Sequence, residues 1–224
     1  MIFVLCLENT FKIYRNLKNT ETMSKYMKGL FPFFGIKTPH RRQLLREVWS
    51  ENKQEIQSNP REIAKILYTK PEREFHYCAI EILIKELKNN YDDEDIHLIK
   101  DLLINHSWWD SVDIISKCIL GNYLLEHPNK ITKTISEFSE SDNLWLNRSA
   151  ILFQLGYKEK TDFDLLKKIC IDHKNSSEFF IQKAIGWALR EFAKTDSGAV
   201  KEFVLVNNLK PLSRKEALKN LPIA

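Results

Sequence analysis

The tetrapeptide RSAI at residues 148–151 has four counterparts in this chain: YCAI at 77–80, SKCI at 116–119, QKAI at 182–185 and KEAL at 215–218. Each places a small residue directly before an aliphatic one, and these small residues lie 39, 32, 34 and 33 residues apart: Ala79, Cys118, Ala150, Ala184 and Ala217. That spacing is the length of a helical hairpin. Ala-Ile pairs also occur by chance in helices, but the near-constant spacing favours a repeat. We therefore predict an all-α fold, a curved solenoid of antiparallel helix pairs (HEAT-like repeats) with a concave surface.

The sequence between these tetrapeptides also predicts helices. Apolar residues recur at three- and four-residue spacing, there is no convincing strand alternation, and only six glycines occur. Proline fits the first turn of a helix and disfavours helix in the residue before it, so three dipeptides predict helix starts: Thr38-Pro39, Asn59-Pro60 and Lys70-Pro71. Ser107 with Asp110, and Ser213 with Glu216, have the spacing of capping boxes and predict two further starts.

The composition is that of an ordinary globular protein, with 224 residues of which 43% are hydrophobic and 29% charged. We expect a single domain over residues 1–224. The apolar start at residues 1–7 lacks the basic region and cleavage site of a signal peptide, and no apolar run is long enough to span a membrane. The four cysteines are far apart and favour reduced thiols, and the six histidines form no metal-ligand motif. We expect a cytoplasmic monomer that needs no cofactor.

The charges are distributed unevenly along the chain. Residues 1–50 carry 9 basic and 3 acidic side chains, residues 51–142 carry 11 and 18, and residues 143–224 carry 14 and 9. Two basic ends therefore flank an acidic middle. A basic surface can neutralise phosphates, which makes nucleic acid a plausible partner, but lysines on helix surfaces also simply keep proteins in solution. Charge alone leaves both interpretations open.

The segment SWWDSVD at residues 107–113 places two tryptophans beside two carboxylates. Measured at about 100° per residue from the small residue of the same repeat, Trp109 lies near 180°, Asp113 near 220° and Arg148 near 160°. All three are therefore expected to point away from the packed side, and Trp109 and Asp113 share one face because they are four residues apart. Helix capping alone explains Asp110. Considered alone, Trp187 would be interpreted as a core residue and Arg148 as a surface arginine. Two interpretations therefore stay open: a functional site, or an ordinary helix with an apolar side and a polar side.

Longer stretches carry a family resemblance. SWWDSVD, SDNLWLNRSAILFQLGYK (141–158) and SSEFFIQKAIGWALREFAKT (176–195) resemble the bacterial HEAT-like-repeat DNA alkylation-repair glycosylases of the AlkD type. YMKGLFPFFGIKTPHRR (26–42), REFHYCAIEIL (73–83) and PLSRKEAL (211–218) resemble the N-terminal, intervening and terminal parts of the same family. The resemblance extends from about Tyr26 to Leu221.

The resemblance implies a function and a set of site residues. It implies a concave face that holds duplex DNA and a monofunctional glycosylase that removes 3-methyladenine and 7-methylguanine, without flipping the base. Asp113 is implied as the catalytic carboxylate, between Trp109 and Trp187, which flank the sugar. Arg148 is implied to hold the DNA backbone at the lesion, and four further residues to line or anchor the DNA: Tyr26, Thr38, Arg42 and Arg190. Lys37 and His40 depart from the family pattern, which leaves the lesion range open.

The chemistry of these residues agrees with that activity. A purine alkylated at N3 or N7 already carries positive charge, so it can leave without a general acid. Positive charge then moves onto the sugar, where a carboxylate and indole faces stabilise it. No lysine accompanies Asp113 in this segment, which disfavours strand cleavage through a Schiff base. Two alternatives stay open: a catalytically inactive DNA-binding relative, and a HEAT-type protein-interaction scaffold.

Overall fold

Every regular element of the structure is a helix. The structure, a computed structural model, describes residues 1–219 and residue 221, and no strand is present among them. The α-helices in that part of the chain are α1 (Ile2–Ile13), α2 (Leu17–Tyr26), α3 (Thr38–Glu51), α4 (Lys53–Ser58), α5 (Pro60–Tyr68), α6 (Arg73–Glu86), α7 (Asp95–Ile104), α8 (Trp109–Ile114), α9 (Gly121–Glu126), α10 (Ile131–Ser139), α11 (Leu144–Leu152), α12 (Phe163–Asp172), α13 (Phe179–Phe192), α14 (Ser197–Val206) and α15 (Pro211–Ala217). Short 3-10 turns occupy Pro128–Lys130 and Lys158–Lys160, and a π-helical segment occupies Ile115–Leu120. The predicted all-α fold is confirmed. Residues 220 and 222–224 of the predicted domain lie outside the described residues.

The predicted helix starts are partly correct. Pro39 and Pro60 lie in the first turns of α3 and α5, whereas α6 begins two residues after Pro71. Helices do begin within two residues of both predicted capping-box serines, α8 at Trp109 and α15 at Pro211, but neither capping box forms. The Ser107 hydroxyl donates to the carbonyl of Leu103, and Ser213 lies inside α15 and donates to the carbonyl of Gln182. Both hydroxyls are therefore engaged by preceding backbone carbonyls. In the described part of the chain, side-chain caps occur instead at Asn16, Asn143, Asp162 and Asp196.

The chain forms two compact units, Met1–Tyr91 and the residues from Asp92 onward. In the first unit α1 packs against α3, α4 and α5, and α5 packs against α6. Aromatic rings of Phe11, Phe34 and Phe75 contact one another in its core, at centroid distances of 5.4 to 5.8 Å. Among the described residues of either unit, none of the helices has both the length and the apolar character that a membrane crossing requires.

A buried carboxylate organises the segment that leads into α3. Glu74 is fully buried on α6, and its two oxygens accept hydrogen bonds from the backbone amides of Phe34, Gly35 and Ile36. Gly35 adopts φ +86°, and a β-carbon there would lie 2.1 Å from the Asn16 carbonyl oxygen, so only glycine fits. These bonds fix the segment between α2 and α3 although it has no regular secondary structure.

The second unit contains helix pairs whose second helices stack in a row. The first helices are α7, α10, α12 and α14. The second helices are the continuous helical stretch α8–π–α9, then α11, α13 and α15. Within the row, α11 packs against α8, the π-helical segment and α13, and α13 packs against α15. The row therefore brings residues about one repeat apart on neighbouring second helices next to each other.

The small residues that defined the repeat lie on the second helices of the pairs, beginning with α6 in the first unit. Ala79, Ala150, Ala184 and Ala217 are all completely buried, as close helix packing requires. Cys118 is only half-buried, and it lies inside the π-helical segment. A π-helix turns less per residue than an α-helix because its hydrogen bonds join residues five apart. This irregularity displaces Cys118 from the fully buried position that the repeat predicted.

Candidate functional site

An ion pair between two neighbouring second helices forms the centre of the candidate site. Arg148 on α11 donates from Nε to Asp113 Oδ1 at 2.7 Å and from Nη2 to Asp113 Oδ2 at 3.0 Å. A third donor, Nη1, bonds the backbone carbonyl of Phe180 on α13. The Arg148 side chain is 5% exposed and that of Asp113 14% exposed. The guanidinium therefore joins three successive elements of the row and holds the carboxylate in one orientation.

The electrostatic environment of Asp113 combines opposing effects. Burial raises the pKa of the Asp113 carboxyl above its ordinary value, the hydrogen bonds and charge of Arg148 lower it, and the negative charge of Asp110 raises it. Burial prevails, so the net pKa shift is upward. A carboxylate that is mostly removed from water and fixed by a bidentate partner interacts strongly with any positive charge brought to its open edge.

The position of Arg148 differs from the sequence-based expectation. The helical angle predicted a side chain directed away from the packed side, but Arg148 is buried. The reason is that α11 has neighbours on several sides, since it packs against α7, α8, the π-helical segment, α10, α12 and α13. The angle of Asp113 was measured from Cys118 at the α-helical rate, and the intervening π-helical residues do not turn at that rate.

An aromatic cluster borders the ion pair. The Trp108 ring lies 5.7 Å from that of Trp145 and 5.2 Å from that of Phe180, and Trp145 lies 5.1 Å from Phe180, all between centroids. The Arg148 guanidinium carbon is 5.7 Å from the Phe180 centroid. Sequence reasoning missed Trp145 and Phe180. Their signal was their spacing, because Trp145 precedes Arg148 by three residues, so the two side chains lie on one side of α11.

The two tryptophans implied by the resemblance lie on the helices of this row. Trp109 begins α8, one turn before Asp113, and is half-buried. Trp187 lies on α13 and is also half-buried. It follows Phe180 by seven residues, which is two turns along the same helical face. Each indole therefore retains accessible surface, Trp109 on the helix that carries Asp113 and Trp187 on the helix whose Phe180 carbonyl accepts a hydrogen bond from Arg148.

A buried hydroxyl bridge supports the ion pair from within the core. Ser116 follows Asp113 by three residues, Ser149 follows Arg148 directly, and their hydroxyl oxygens lie 2.8 Å apart. Both serines are completely buried. Nearby, a β-carbon on Gly121 would lie 2.5 Å from the Phe153 carbonyl oxygen, so glycine permits the close approach of α9 to the end of α11. These contacts fix the register of the two helices that carry Asp113 and Arg148.

The other predicted DNA contacts fall in two groups. Tyr26, Thr38 and Arg42 belong to the first unit and are exposed, and Arg42 donates from Nε to Glu81 at 2.9 Å. Arg190 is on α13 in the second unit, where its Nη1 donates to the Glu216 side chain at 2.6 Å and to the Glu216 carbonyl at 3.1 Å. Arg190 therefore bridges α13 to α15. Their contacts with DNA stay a prediction.

Comparisons with known proteins agree with this arrangement of helices. The family model described as DNA alkylation repair enzyme matches residues 7–221, which extends the similarity towards the N-terminus beyond Tyr26. No curated protein matches the sequence. A solved structure, the predicted DNA alkylation repair enzyme from Enterococcus faecalis, is 35% identical, with 94% of this chain and 98% of that chain covered and a TM-score of 0.85. The chain therefore belongs to the DNA alkylation repair enzyme family.

Proposed function

We propose that this protein is a monofunctional DNA glycosylase that hydrolyses the N-glycosidic bond of cationic alkylated purines, 3-methyladenine and 7-methylguanine, in duplex DNA. The observation that carries the proposal is the buried bidentate pair of Asp113 and Arg148, with distances of 2.7 and 3.0 Å. A protein-interaction scaffold has no need of a desolvated, oriented carboxylate. An enzyme that stabilises a developing cation does need one.

The proposed reaction uses the positive charge of the substrate. The alkylated base leaves as a neutral purine, and positive charge develops on the deoxyribose as the glycosidic bond breaks. Asp113 stabilises that charge and orients the water that attacks the sugar, and Arg148 favours the ionised carboxylate because it opposes the increase in pKa that burial causes. Trp109 and Trp187 contribute indole faces beside the sugar, each worth on the order of 1–2 kcal/mol for a desolvated cation. The product is an abasic site.

The geometry refines the proposed role of Arg148. Three of its N–H groups already bond Asp113 and Phe180, and its side chain is almost completely buried. We propose that it mainly positions Asp113 and reaches the DNA backbone at the lesion only through its remaining N–H groups. The concave DNA-binding face and the absence of base flipping belong to the proposal as implications of the family resemblance. The monomeric state and the cytoplasmic location belong to it as expectations from the sequence.

Asp113→Asn tests the proposal most directly. The substitution keeps the shape of the side chain but removes its charge, and loss of one such electrostatic stabiliser typically costs about 10²–10³ in rate. Single-turnover release of 7-methylguanine from duplex DNA is the measurement. Asp110→Asn is the matched control, since it removes a neighbouring carboxylate of the same helix, and it should release the base within threefold of wild type.

The outcomes separate the candidate functions. Release by wild type and its loss in Asp113→Asn, with duplex binding retained, support the glycosylase. No release by wild type, combined with duplex binding, would indicate an inactive DNA-binding relative. Absence of salt-dependent duplex binding would leave the interaction scaffold. Release by Asp113→Asn within threefold of wild type would remove Asp113 as the catalytic residue.

A further inference from the structure

The aromatic cluster of Trp108, Trp145 and Phe180 joins the starts of three neighbouring second helices. Trp108 directly precedes α8, and Trp145 and Phe180 are the second residues of α11 and α13. Each ring centroid lies 5.1 to 5.7 Å from the other two, within the range in which aromatic rings attract one another. The first two of these helices carry Asp113 and Arg148. The cluster therefore packs together the helix starts on which the geometry of the ion pair depends.

The three helix starts differ in how they are fixed. The Asn143 side chain caps α11, because it accepts from the backbone amides of Trp145 at 2.9 Å and of Leu146 at 3.2 Å. Such a cap satisfies free amides of the first turn and fixes its position. Among the described residues, no side chain caps α8 or α13 in this way, so the packing of their first side chains holds these starts in place. The Trp145 ring, on the capped helix, is the surface against which the other two rings pack.

Phe180 connects the aromatic cluster to the ion pair through its backbone carbonyl. That oxygen accepts one hydrogen bond of the Arg148 guanidinium, whose two others go to the Asp113 carboxylate. Because the guanidinium is planar and rigid, a displaced acceptor on α13 would turn it and misalign both bonds to Asp113. The Trp145 ring packs on the Phe180 ring from three residues before Arg148 on the same helix. The orientation of Asp113 therefore depends on Trp145, which acts through Phe180 and Arg148.

We propose that Trp145 is a positioning residue for hydrolysis of the glycosidic bond, and that it holds Asp113 in the reactive orientation. The inference rests on the proposed function, in which Asp113 stabilises the cation that develops on the sugar. A misplacement of about 1 Å that originates away from the reacting atoms can lower a rate by about 10²-fold. Loss of the Trp145 ring removes no charge that could meet a phosphate, so it should slow base release without weakening the binding of duplex DNA.

The ionisation of Asp113 provides a readout that a loss of stability alone would not change. Burial raises the pKa of the Asp113 carboxyl, Arg148 on α11 lowers it, and Asp110 on α8 raises it. These are the charged groups that act on this carboxyl among the described residues. A guanidinium that is no longer fixed lowers the pKa less, so the pKa should rise when the Trp145 ring is lost. The acidic limb of the rate profile should then move to higher pH.

Single-turnover release of 7-methylguanine at saturating protein, measured as a function of pH, tests the proposal in the full chain. Trp145→Leu should slow release by about 10- to 10²-fold, keep the affinity for duplex DNA within threefold of wild type, and move the acidic limb to higher pH. Trp145→Phe keeps an aromatic face against Phe180 and should release the base within threefold of wild type. Phe163→Leu is the matched control, because it removes a ring that stacks on Phe192 at 4.3 Å elsewhere in the same unit. It should lower the melting temperature but leave the rate and the acidic limb unchanged.

An NMR titration of the Asp113 carboxyl in the free protein separates this inference from the proposed function. A higher pKa in Trp145→Leu than in wild type and in Phe163→Leu would support the role of Trp145 in holding Asp113, even if wild type released no base. Absence of release by wild type would defeat the glycosylase proposal alone. If Trp145→Leu does not fold, Phe180→Leu removes another ring of the cluster, keeps the backbone carbonyl and carries the same expectations.

Two results would overturn the inference. The first is a rate, an acidic limb and a carboxyl pKa in Trp145→Leu equal to those of Phe163→Leu, which would leave Trp145 as ordinary packing and the glycosylase proposal intact. The second is slower release that is fully explained by weaker binding of duplex DNA, with an unchanged pKa of Asp113, which would make Trp145 a DNA contact instead of a positioning residue.

Discussion

Removing Arg148 should destabilise the protein in a way that depends on pH. Arg148→Ala deletes both bonds to Asp113 and the bond to the Phe180 carbonyl, and it leaves a carboxylate that is only 14% exposed without its partner. Breaking a buried ion pair on one side typically costs about 3–5 kcal/mol. For a chain of this length, that loss corresponds to a fall in melting temperature of roughly 6–20 °C.

The pH dependence follows from the pKa of Asp113. Burial already raises that pKa in wild type, and Arg148 opposes the increase, so the pKa must rise further in the variant. A carboxyl group whose pKa is higher in the folded state than in the unfolded state contributes to the stability of the fold at pH values below its unfolded pKa. That contribution is lost as the pH rises through the folded pKa. The stability gap between wild type and Arg148→Ala should therefore be widest near neutral pH and should narrow as pH falls towards 4.

Urea denaturation followed by tryptophan fluorescence is a suitable assay, because four of the five tryptophans lie in the second unit: Trp108, Trp109, Trp145 and Trp187. Asp113→Leu/Arg148→Leu should recover most of the loss, since apolar replacement of a buried pair is often neutral or stabilising. Lys167→Ala is the control, because it removes an exposed pair with Asp164 and should cost less than about 1 kcal/mol. A cost below about 1 kcal/mol for Arg148→Ala, or a gap that does not narrow in acid, would refute the buried pair.

Two further substitutions test the contacts around the row of second helices. Ser116→Ala removes the bond between the two buried hydroxyls but leaves Ser149 bonded to the Trp145 carbonyl at 2.7 Å, so it should cost about 0.5–1.5 kcal/mol in urea denaturation. Ser116→Ala/Ser149→Ala should cost less than the sum of the single changes, because the bond that the two serines share is lost only once; additive losses would disprove the bridge. Hydrogen bonds from Lys183 and Arg190 lower the pKa of Glu216 from 4.5 to about 2, so its contribution to stability is present above pH 4.5 and is lost as pH falls through about 2. Glu216→Gln should therefore lower the free energy of unfolding by at most about 3 kcal/mol at neutral pH, and by less than that because Lys183 is partly exposed. The difference in the free energy of unfolding between this variant and wild type should vanish in strong acid.

The repeat could be predicted from the sequence because close packing selects small residues at regular spacing. Ala79, Ala150, Ala184 and Ala217 are all completely buried, as that reasoning requires. The same spacing also relates two pairs of residues that contact each other. Ser116 and Ser149 are 33 residues apart and bond each other, and Lys183 and Glu216, also 33 apart, form an ion pair at 2.8 Å. Residues one repeat apart are neighbours in this row, so the spacing could have suggested both contacts.

The burial of Arg148 could not be predicted from a helical angle. One angle divides a helix into a packed side and an open side, but α11 has neighbours around much of its circumference. The π-helical segment could not be predicted either, because ISKCIL has the apolar spacing of an ordinary helix. The π-helical segment is accompanied by long-range packing, such as the approach of Gly121 to Phe153. The six residues of the segment do not by themselves encode such a contact. Asp113 and Arg148 were found as candidates, but their pairing required the fold.

Glu74 has a consequence for the kinetics of local opening. Amides in a segment without regular secondary structure usually exchange their hydrogens with solvent quickly, because no cooperative unit must open first. The amides of Phe34, Gly35 and Ile36 donate instead to one buried carboxylate on α6, so they can be released only when that helix separates from the segment. Their exchange should be as slow as that of the α6 core. The segment that leads to Thr38 and Arg42 is therefore expected to exchange its amide hydrogens as slowly as a helix, although it has no helical structure.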